Sequence, residues 1–337
     1  MDRLTALAGL RRQTIWPGAA AVSGGGDSIA LMHLLAHWAK AHKLPPPIVL
    51  SVDHGLRPGS AKEAKQVARW AKVLGLKSQI LTARGIAPDA DIEAQARQQR
   101  FSLIGGWMAK NRIATLYVGH TQDDQAETFL LRLARGSGLD GLSAMRPLAA
   151  YPVSGFAGLA VARPMLGMPR APLRDWLRQR KQDWLEDPMN LQPRFARTRI
   201  RALAGALAAA GLTPGRIADA ADHLARAREA LDLVTEAVLA RAAKPVDGAV
   251  LIDPLALAAA PREVGLRALA SLLMGLSGQD YRPRFDALER LFERVTGGRL
   301  GGGATLGGCA LAPAPRRLQA FGPQTLVLER ESSRNVR

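Results

Sequence analysis

The chain has 337 residues and carries 46 basic against 29 acidic side chains, a formal net charge of +17 at pH 7. This length predicts one large domain and a smaller one rather than a single core. No apolar stretch reaches the roughly 18 residues that a membrane-spanning helix needs. The N-terminus, with Asp2 and no uninterrupted apolar core, does not resemble a secretory signal. We therefore expect a cytosolic protein that does not contact a membrane.

The positive charge favours a polyanionic partner, of which nucleic acid is the commonest. A general bias towards arginine would spread that charge evenly along the chain. Residues 163–201 instead hold ten basic and four acidic side chains. This local concentration favours binding over compositional bias.

Short apolar segments alternate with longer helical ones in the first part of the chain. The predicted strands are residues 18–22, 48–52, 116–119 and, more weakly, 78–82. The predicted helices are residues 28–40, 60–74, 92–111 and 122–135. This alternation predicts an α/β fold, with a parallel sheet covered by helices on both faces.

The pattern changes after Arg163, where residues 172–182 and 214–242 are predicted to be helices. From Gly297 onward the chain is rich in glycine with short apolar runs, which predicts a small β element. We therefore expect three parts. They are a catalytic domain over residues 1–202, a smaller and mainly helical domain over residues 203–296, and a short tail over residues 297–337.

The first chemical motif is SGGGDS at residues 23–28, which follows a predicted strand and opens a helix. Backbone amides of successive glycines and of a helix N-terminus bind phosphate oxygens. The lysine-containing phosphate loop of the Walker type is absent from the sequence. Asp27 is a better ligand for Mg²⁺ than for phosphate. The alternative is a tight strand-to-helix turn with a serine cap, and we favour a nucleotide site.

The second motif is DHGLRP, which begins at Asp53 after the second predicted strand. In a parallel sheet the strand ends meet at one edge, where ligands bind. Asp53 can accept a hydrogen bond from a ribose hydroxyl or an adenine amino group, and Arg57 can hold a phosphate. A turn closed by an Asp53–Arg57 pair is an equal alternative.

The third motif, HTQDDQAE at residues 120–127, begins a predicted helix. Thr121 as the cap with Asp124 three residues later explains one or two acidic residues. Capping does not explain why Asp123, Asp124 and Glu127 place like charges on one helix surface, which costs stability. We expect a bound cation to offset that cost, either Mg²⁺ or the ammonium group of a substrate.

These motifs, in this order and at these intervals, resemble the PP-loop ATP pyrophosphatases and, within them, the tRNA(Ile)-lysidine synthetases. The resemblance to that one family rests on DHGLRPGSAKEA, HTQDDQAETFLLRLARGSGLDGL, RPMLGMPRAPLRDWLRQR, WLEDPMN and RFARTRIR. It covers residues 18–201 closely and the rest loosely. PP-loop enzymes that thiolate tRNA use paired cysteines, whereas Cys309 is the only cysteine of this chain. A PP-loop synthetase that acts on a small molecule and a tRNA-binding protein without catalysis are the alternatives.

The resemblance implies a two-step reaction with ATP, Mg²⁺, free L-lysine and the isoleucine tRNA whose anticodon is CAU. The C2 oxygen of the wobble cytosine attacks the α-phosphate of ATP and releases pyrophosphate, and the lysine ε-amine then displaces AMP. The product, lysidine, changes codon reading from AUG to AUA. The oligomeric state stays open, with a homodimer among the alternatives.

The resemblance also implies roles for individual residues. The phosphates are assigned to Ser23, Gly24, Gly25, Gly26 and Ser28, with Asp27 as the Mg²⁺ ligand. The adenosine side and the α-phosphate are assigned to Asp53, His54 and His120. The lysine ammonium and its proton are assigned to Asp124 and Glu127. Arg197 is assigned to catalysis, and the tRNA contacts to Arg97, Arg100, Arg199 and Arg201.

The basic segment at residues 163–201 ends with three arginines spaced two residues apart: Arg197, Arg199 and Arg201. In an extended segment they would project on one side, where they would fit phosphate groups of the anticodon loop or of ATP. A solvated basic face is an equal alternative.

Overall fold

The structure, a computed structural model, describes residues 16–55, 59–83, 92–186, 196–279 and 282–331, with the backbone alone for residues 92–94. The chain divides into two compact units, Met1–Ala225 and Arg226–Arg337. The division lies within the long helix Pro214–Ala242. It therefore differs from the predicted boundary at Ala202.

The first unit contains a six-stranded sheet with the strand order β3-β2-β1-β4-β6-β5. The strands are β1 (Ala19–Ala21), β2 (Ile48–Asp53), β3 (Ser78–Thr82), β4 (Thr115–Val118), β5 (Leu148–Ala150) and β6 (Ala160–Ala162). All neighbouring pairs are parallel except β5 and β6. The four predicted strands and the parallel α/β fold are confirmed, whereas β5 and β6 were not predicted.

The helices in the described part of this unit are α1 (Gly26–Ala41), α2 (Ser60–Val73), α3 (Ile92–Lys110), α4 (Gln122–Leu133), α5 (Leu139–Leu142), α6 (Arg170–Gln179), α7 (Ala196–Ala202), α8 (Ala204–Ala209) and the first part of α9 (Pro214–Ala242). They enclose two cores, because successive side chains of a strand point to opposite faces of the sheet. Ala20 packs with Ile29 of α1 in one core, and Ala19 packs with Ile104 of α3 in the other. The sheet is thus covered on both faces, as predicted.

The order of the strands places β1 at a point where the connections reverse, since β2 lies on one side of it and β4 on the other. Ligands of open α/β sheets bind at the carboxyl edge next to such a point. The three sequence motifs follow β1, β2 and β4, so the fold brings all three to this edge.

The second unit contains an antiparallel sheet with the order β7-β8-β11-β10-β9. Its elements are β7 (Ala243–Val246), β8 (Ala249–Ile252), α10 (Pro254–Ala258), α11 (Arg262–Ser277), α12 (Phe285–Thr296), β9 (Ala304–Leu306), β10 (Cys309–Pro313) and β11 (Leu326–Arg330). Leu269 of α11, Phe292 of α12 and Leu328 of β11 share one core. The predicted β element exists, but it pairs with β8 and is not a separate tail. Within the described residues no helix is both long and apolar enough to span a membrane.

Candidate active site

The glycine-rich segment between β1 and α1 forms a tight loop. Gly24 has a φ of 98°, and a Cβ atom there would lie 2.5 Å from Leu185 Cδ1. The loop is held by the Ser28 hydroxyl, which donates to the Gly25 carbonyl oxygen over 2.8 Å, and by the Leu185 amide, which donates to the Gly24 carbonyl oxygen over 2.9 Å. Helix α1 begins directly behind this loop, so its N-terminal amides add the favourable dipole that a phosphate needs.

The end of β4 packs closely against the start of α1. A Cβ atom at Gly119 would lie 2.9 Å from the backbone oxygen of Asp27 and 3.1 Å from Ser28 Cα. A side chain at this position would therefore push the phosphate-binding loop away from the sheet. Glycine at position 119 lets the motifs after β1 and β4 meet.

A cavity of about 420 Å³ opens beside the loop. It collects residues from all three motifs and from α3: Ser23, Asp27, His54, Arg100, His120 and Asp124. Gly25, Ser28 and Arg97 also line it. The structure therefore brings together most of the residues that the sequence assigned to nucleotide binding.

Arg170, the first residue of α6, joins three of the predicted acidic residues. Its Nε donates to Asp27 Oδ2 over 2.8 Å, its Nη2 to Asp124 Oδ1 over 3.0 Å and its Nη1 to Glu127 Oε1 over 3.2 Å. Only 17% of the Arg170 side chain is exposed. We expected bound Mg²⁺ or a substrate ammonium group to offset the repulsion between the acidic residues, whereas in this structure the guanidinium group of Arg170 pairs with three carboxylates.

Two acidic residues of the third motif set the position of Arg170 through helix caps. Asp123 Oδ2 accepts from the Arg170 backbone amide over 2.8 Å and so caps the start of α6. Asp124 Oδ2 accepts from the Thr121 amide and hydroxyl, each over 2.8 Å, and so completes the capping box of α4. The helices that carry the acidic residues and the arginine are therefore fixed by the same motif.

Arg201 makes a second contact with Glu127. It donates from Nε to Oε1 over 2.7 Å and from Nη2 to Oε2 over 3.0 Å. Arg197, Arg199 and Arg201 lie on helix α7, so this segment is not extended and the three arginines do not project on one side. Residues two apart on a helix point in nearly opposite directions, and Arg199 is exposed while Arg201 turns to Glu127.

The two aspartates that bind Arg170 differ in their proton affinity. Burial raises the pKa of Asp27 above its usual value, and this effect outweighs the opposing effect of Arg170, while the charge of Asp124 adds a smaller rise. Burial also opposes ionisation of Asp124, but Arg170 and the Thr121 hydrogen bonds outweigh it and lower the pKa of Asp124. Asp27 Oδ1 is buried and has no hydrogen-bond partner within the described part of the chain. Asp27 is therefore the carboxylate with an acceptor atom left for a ligand.

Each of the two histidines of the cavity lies beside at least one arginine. Burial, followed by the charge of Arg100, lowers the pKa of His54 to about 4. Burial also lowers the pKa of His120, with smaller contributions from Arg163, Arg97 and Arg197. Both imidazoles are therefore neutral at pH 7.

Asp53 lies at the end of β2 and accepts two hydrogen bonds. Its Oδ1 accepts from the Ser60 hydroxyl over 2.6 Å and from the Gly55 amide over 3.0 Å, so it links the end of β2 to the first residue of α2. The predicted Asp53–Arg57 pair cannot be placed, because Arg57 lies outside the described residues. His54 and Ser60 line the cavity from this side.

Sequence comparison decides the family. The model of the PP-loop domain family matches residues 13–206. The tRNA(Ile)-lysidine synthase of Ruegeria pomeroyi is 40% identical over 300 residues, which cover 89% of this chain and 69% of that protein. The chain belongs to the tRNA(Ile)-lysidine synthase family. A family member from Methylobacterium nodulans is also 40% identical, over 91% of this chain and 95% of that protein, and one from Wolbachia pipientis is 38% identical over 94% and 71%.

Among solved structures, a U34-tRNA thiolase from Methanococcus maripaludis superposes with a TM-score of 0.52 over 68% of this chain and 80% of that one. The two proteins are 15% identical. At this level the likeness supports the PP-loop fold of this tRNA(Ile)-lysidine synthase family member and nothing finer.

Two arginines of the site were not predicted from the sequence. Arg170 binds the acidic residues, and Arg163 donates from Nε to His120 Nδ1 over 3.2 Å. Both belong to the basic segment at residues 163–201, which the sequence assigned to nucleic acid. No local pattern singled out Arg170, because it lies 43 to 143 residues along the chain from the carboxylates that it binds.

Proposed function

We propose that this chain ligates free L-lysine to C2 of the wobble cytidine of the isoleucine tRNA with anticodon CAU, giving lysidine, AMP and pyrophosphate. The reaction converts the anticodon from reading AUG to reading AUA. Membership of the tRNA(Ile)-lysidine synthase family supports this proposal, and the small-molecule synthetase alternative is correspondingly disfavoured.

One structural observation carries the assignment of the site. Asp27, Asp124 and Glu127 converge on one guanidinium group at the carboxyl edge of the sheet, beside the glycine-rich loop and the 420 Å³ cavity. An ATP-dependent ligation of an amine needs a phosphate cradle next to carboxylates that can hold an ammonium group. The adjacent positions of the glycine-rich loop and these carboxylates at this edge support the assignment of both roles.

We assign ATP to the cavity, with its phosphates on the loop of Ser23, Gly24, Gly25, Gly26 and Ser28. The buried Asp27 Oδ1 is a suitable ligand for Mg²⁺, because a hard cation prefers carboxylate oxygen and would offset the burial of the charge. Bound Mg²⁺ would stabilise the negative charge that develops on pyrophosphate as it leaves. Asp27 would thus hold the phosphates of ATP through Mg²⁺ beside the glycine-rich loop.

We assign the lysine ε-amine to Glu127 and Asp124. These carboxylates are 6% exposed, and a buried carboxylate attracts an ammonium group strongly. The amine attacks only after it has lost a proton, which one of these carboxylates takes. The amine nitrogen then bonds to cytosine C2 while the C2–O bond to AMP breaks.

We assign the tRNA to the arginine-rich surface around the cavity. Arg97 and Arg100 of α3 line the cavity, and Arg197 contributes to the positive field at His120. These charges would attract the anticodon phosphates and the α-phosphate of ATP. Arg199 lies on the exposed side of α7, where it would contact a bound RNA.

The test is incubation with ATP, Mg²⁺, radiolabelled lysine and an unmodified transcript of the CAU isoleucine tRNA, followed by acid precipitation and nucleoside analysis. We expect label in a modified cytidine, and none when ATP is omitted. If label stays out of the RNA while AMP forms with some small acid or amide donor, the proposal is refuted and the chain is a small-molecule synthetase.

A further inference from the structure

Each of the two histidines that line the cavity accepts a hydrogen bond from an arginine. Arg100 Nε donates to His54 Nε2 over 3.2 Å, and Arg163 Nε donates to His120 Nδ1 over 3.2 Å. His54 follows β2 and His120 follows β4, the two neighbours of β1 in the sheet. The same pairing therefore occurs on both sides of the phosphate-binding loop.

The chemistry of arginine fixes the protonation of both rings. A guanidinium group has N–H donors and no acceptor, so the ring nitrogen that faces it must offer a lone pair. An imidazole with one lone pair engaged in this way is neutral and carries its hydrogen on the other nitrogen. The hydrogen lies on Nδ1 of His54 and on Nε2 of His120.

Arg163 is itself held firmly. Its side chain is buried, and its Nη1 donates to the Arg146 carbonyl oxygen over 2.9 Å. Burial and the charges of Arg97 and Arg132 lower the pKa of Arg163 to about 10, so the group stays cationic at neutral pH. Arg163 therefore remains a donor to His120 under physiological conditions.

The other charges near His120 come from three helices. Arg97 of α3 and Arg197 of α7 disfavour a proton on the ring, and Asp124 of α4 favours one. Burial and the arginines prevail over Asp124. The hydrogen bond from Arg163 has a further effect, because it determines which ring nitrogen of His120 carries the hydrogen.

We propose that Arg163 is a positioning residue that holds His120 in the neutral Nε2–H tautomer, as a hydrogen-bond donor to an acceptor oxygen of the molecule bound in the cavity. The identity of that molecule as ATP rests on the function proposed above. A neutral donor stabilises charge that develops on a phosphate oxygen without giving up its proton. His120 is then not the base that takes the proton of the lysine amine.

Nitrogen-15 NMR of the free protein tests the tautomer directly. The chain has six histidines, and loss of one set of ring signals in His120→Gln identifies His120. We expect the wild-type ring to carry its hydrogen on Nε2 and to keep the neutral pattern from pH 7.5 to pH 5.5. A wild-type His120 that is Nδ1-protonated or doubly protonated at pH 7 overturns the proposal.

Substitutions of the arginine separate positioning from packing. In Arg163→Met we expect the Nε2–H pattern to be lost, with a mixture of tautomers or with protonation between pH 7 and 5.5. Arg163→Lys keeps a cationic donor and should restore the wild-type pattern. Arg100→Met is the matched control, which should alter the signals of His54 and leave those of His120 in place. Retention of the wild-type His120 pattern in Arg163→Met refutes the assignment.

The pH dependence of lysidine formation gives the functional readout. We expect Arg163→Met to lose activity as the pH falls from 7.5 to 6, at least threefold more steeply than wild type, and Arg163→Lys to follow wild type. Equal profiles for wild type and Arg163→Met contradict the role. Because the NMR experiment uses the free protein, a correct tautomer with no lysidine product would refute the proposed function alone. If Arg163→Met does not fold, the wild-type titration and Arg163→Lys still decide the question.

Discussion

Arg201 holds both carboxylate oxygens of Glu127, through hydrogen bonds of 2.7 Å from Nε and 3.0 Å from Nη2. Glu127 is buried, whereas 37% of the Arg201 side chain is exposed. If Glu127 binds the substrate ammonium, Arg201 occupies the same oxygens in the free protein. Helix α7, which carries Arg201, belongs to the segment whose positive charge would attract tRNA. Release of Arg201 to an RNA phosphate would therefore free Glu127 for lysine.

Substitution of Arg201 by methionine should make the free protein bind lysine more tightly. A partly exposed ion pair contributes up to about 1 kcal/mol, so loss of the competing guanidinium should lower the Kd for lysine by about two- to fivefold. Titration calorimetry without tRNA measures this Kd. Arg199→Met is the matched control, since it removes the same charge from the other side of α7. An unchanged or weakened lysine affinity in Arg201→Met would show that Arg201 is not a competitor.

Removal of Arg170 should destabilise the first unit strongly. Arg170→Met leaves Asp27, Asp124 and Glu127 without their shared cation, and breaking a buried ion pair costs about 3 kcal/mol or more. Urea denaturation followed by tryptophan fluorescence measures this loss of unfolding free energy. All six tryptophans lie between Trp16 and Trp184, so the signal reports on the first unit.

Two further variants control the Arg170 experiment. Arg178 forms an ion pair with Asp175 in which both side chains are 61% exposed, and Arg178→Met should cost no more than about 0.5 kcal/mol. Glu127→Gln in the Arg170→Met background should recover part of the loss, because one uncompensated charge is gone. Equal effects of Arg170→Met and Arg178→Met would mean that the carboxylates do not depend on Arg170.

The sequence predicted the parallel sheet because β1, β2 and β4 are apolar runs, each followed by a polar motif, and because helices alternate with the predicted strands. Strands β5 and β6 have only three residues each. A segment this short shows no alternation of apolar and polar residues, so the sequence did not predict these two strands. The spacing of the arginines at positions 197, 199 and 201 would place them on one side only in an extended chain. The segment forms helix α7, in which Arg201 pairs with Glu127, a tertiary contact that local spacing cannot reveal.

The same limit applies to the centre of the site. The sequence identified Asp27, Asp124 and Glu127 as site residues and predicted a bound cation beside the acidic residues of the third motif. Arg170 is 143 residues from Asp27 along the chain, and ten basic residues lie in its segment. Only the packing of α6 against the edge of the sheet distinguishes Arg170 from the other nine.

A methyl group at Gly119 should impair the nucleotide site. The Cβ of Gly119→Ala would lie 2.9 Å from the Asp27 backbone oxygen, a contact that only a shift of backbone can relieve. We expect ATP affinity, measured by calorimetry, to fall at least about tenfold, or about 1.4 kcal/mol. Gly106→Ala is the control: nothing lies within 4 Å of its Cβ, and it should raise stability by about 0.5–1 kcal/mol as a helix-interior substitution. Normal ATP affinity in Gly119→Ala would show that the loop tolerates displacement.

The neutral His54 should make stability depend on pH. Its pKa is about 4 in the folded protein against the usual 6.5, so between these values the unfolded chain binds a proton that the folded chain does not. The contribution of His54 to stability is therefore full above pH 6.5 and is lost as the pH falls towards 4. We expect His54→Gln to take up about one proton fewer than wild type on unfolding at pH 5. Parallel plots of unfolding free energy against pH for the two proteins would contradict the low pKa of His54.

Substitution of Glu127 by glutamine should separate the two steps of the proposed reaction. Glutamine has almost the same shape but no charge, so it cannot attract an ammonium group or accept its proton. The first step uses ATP and the cytosine oxygen, and neither is assigned to Glu127. We expect the KM for lysine to rise at least about tenfold, because a charge-assisted hydrogen bond is lost, or lysidine formation to disappear. The tRNA-dependent exchange of pyrophosphate into ATP should survive. Loss of ATP binding in Glu127→Gln would instead place this carboxylate with the metal and the phosphates.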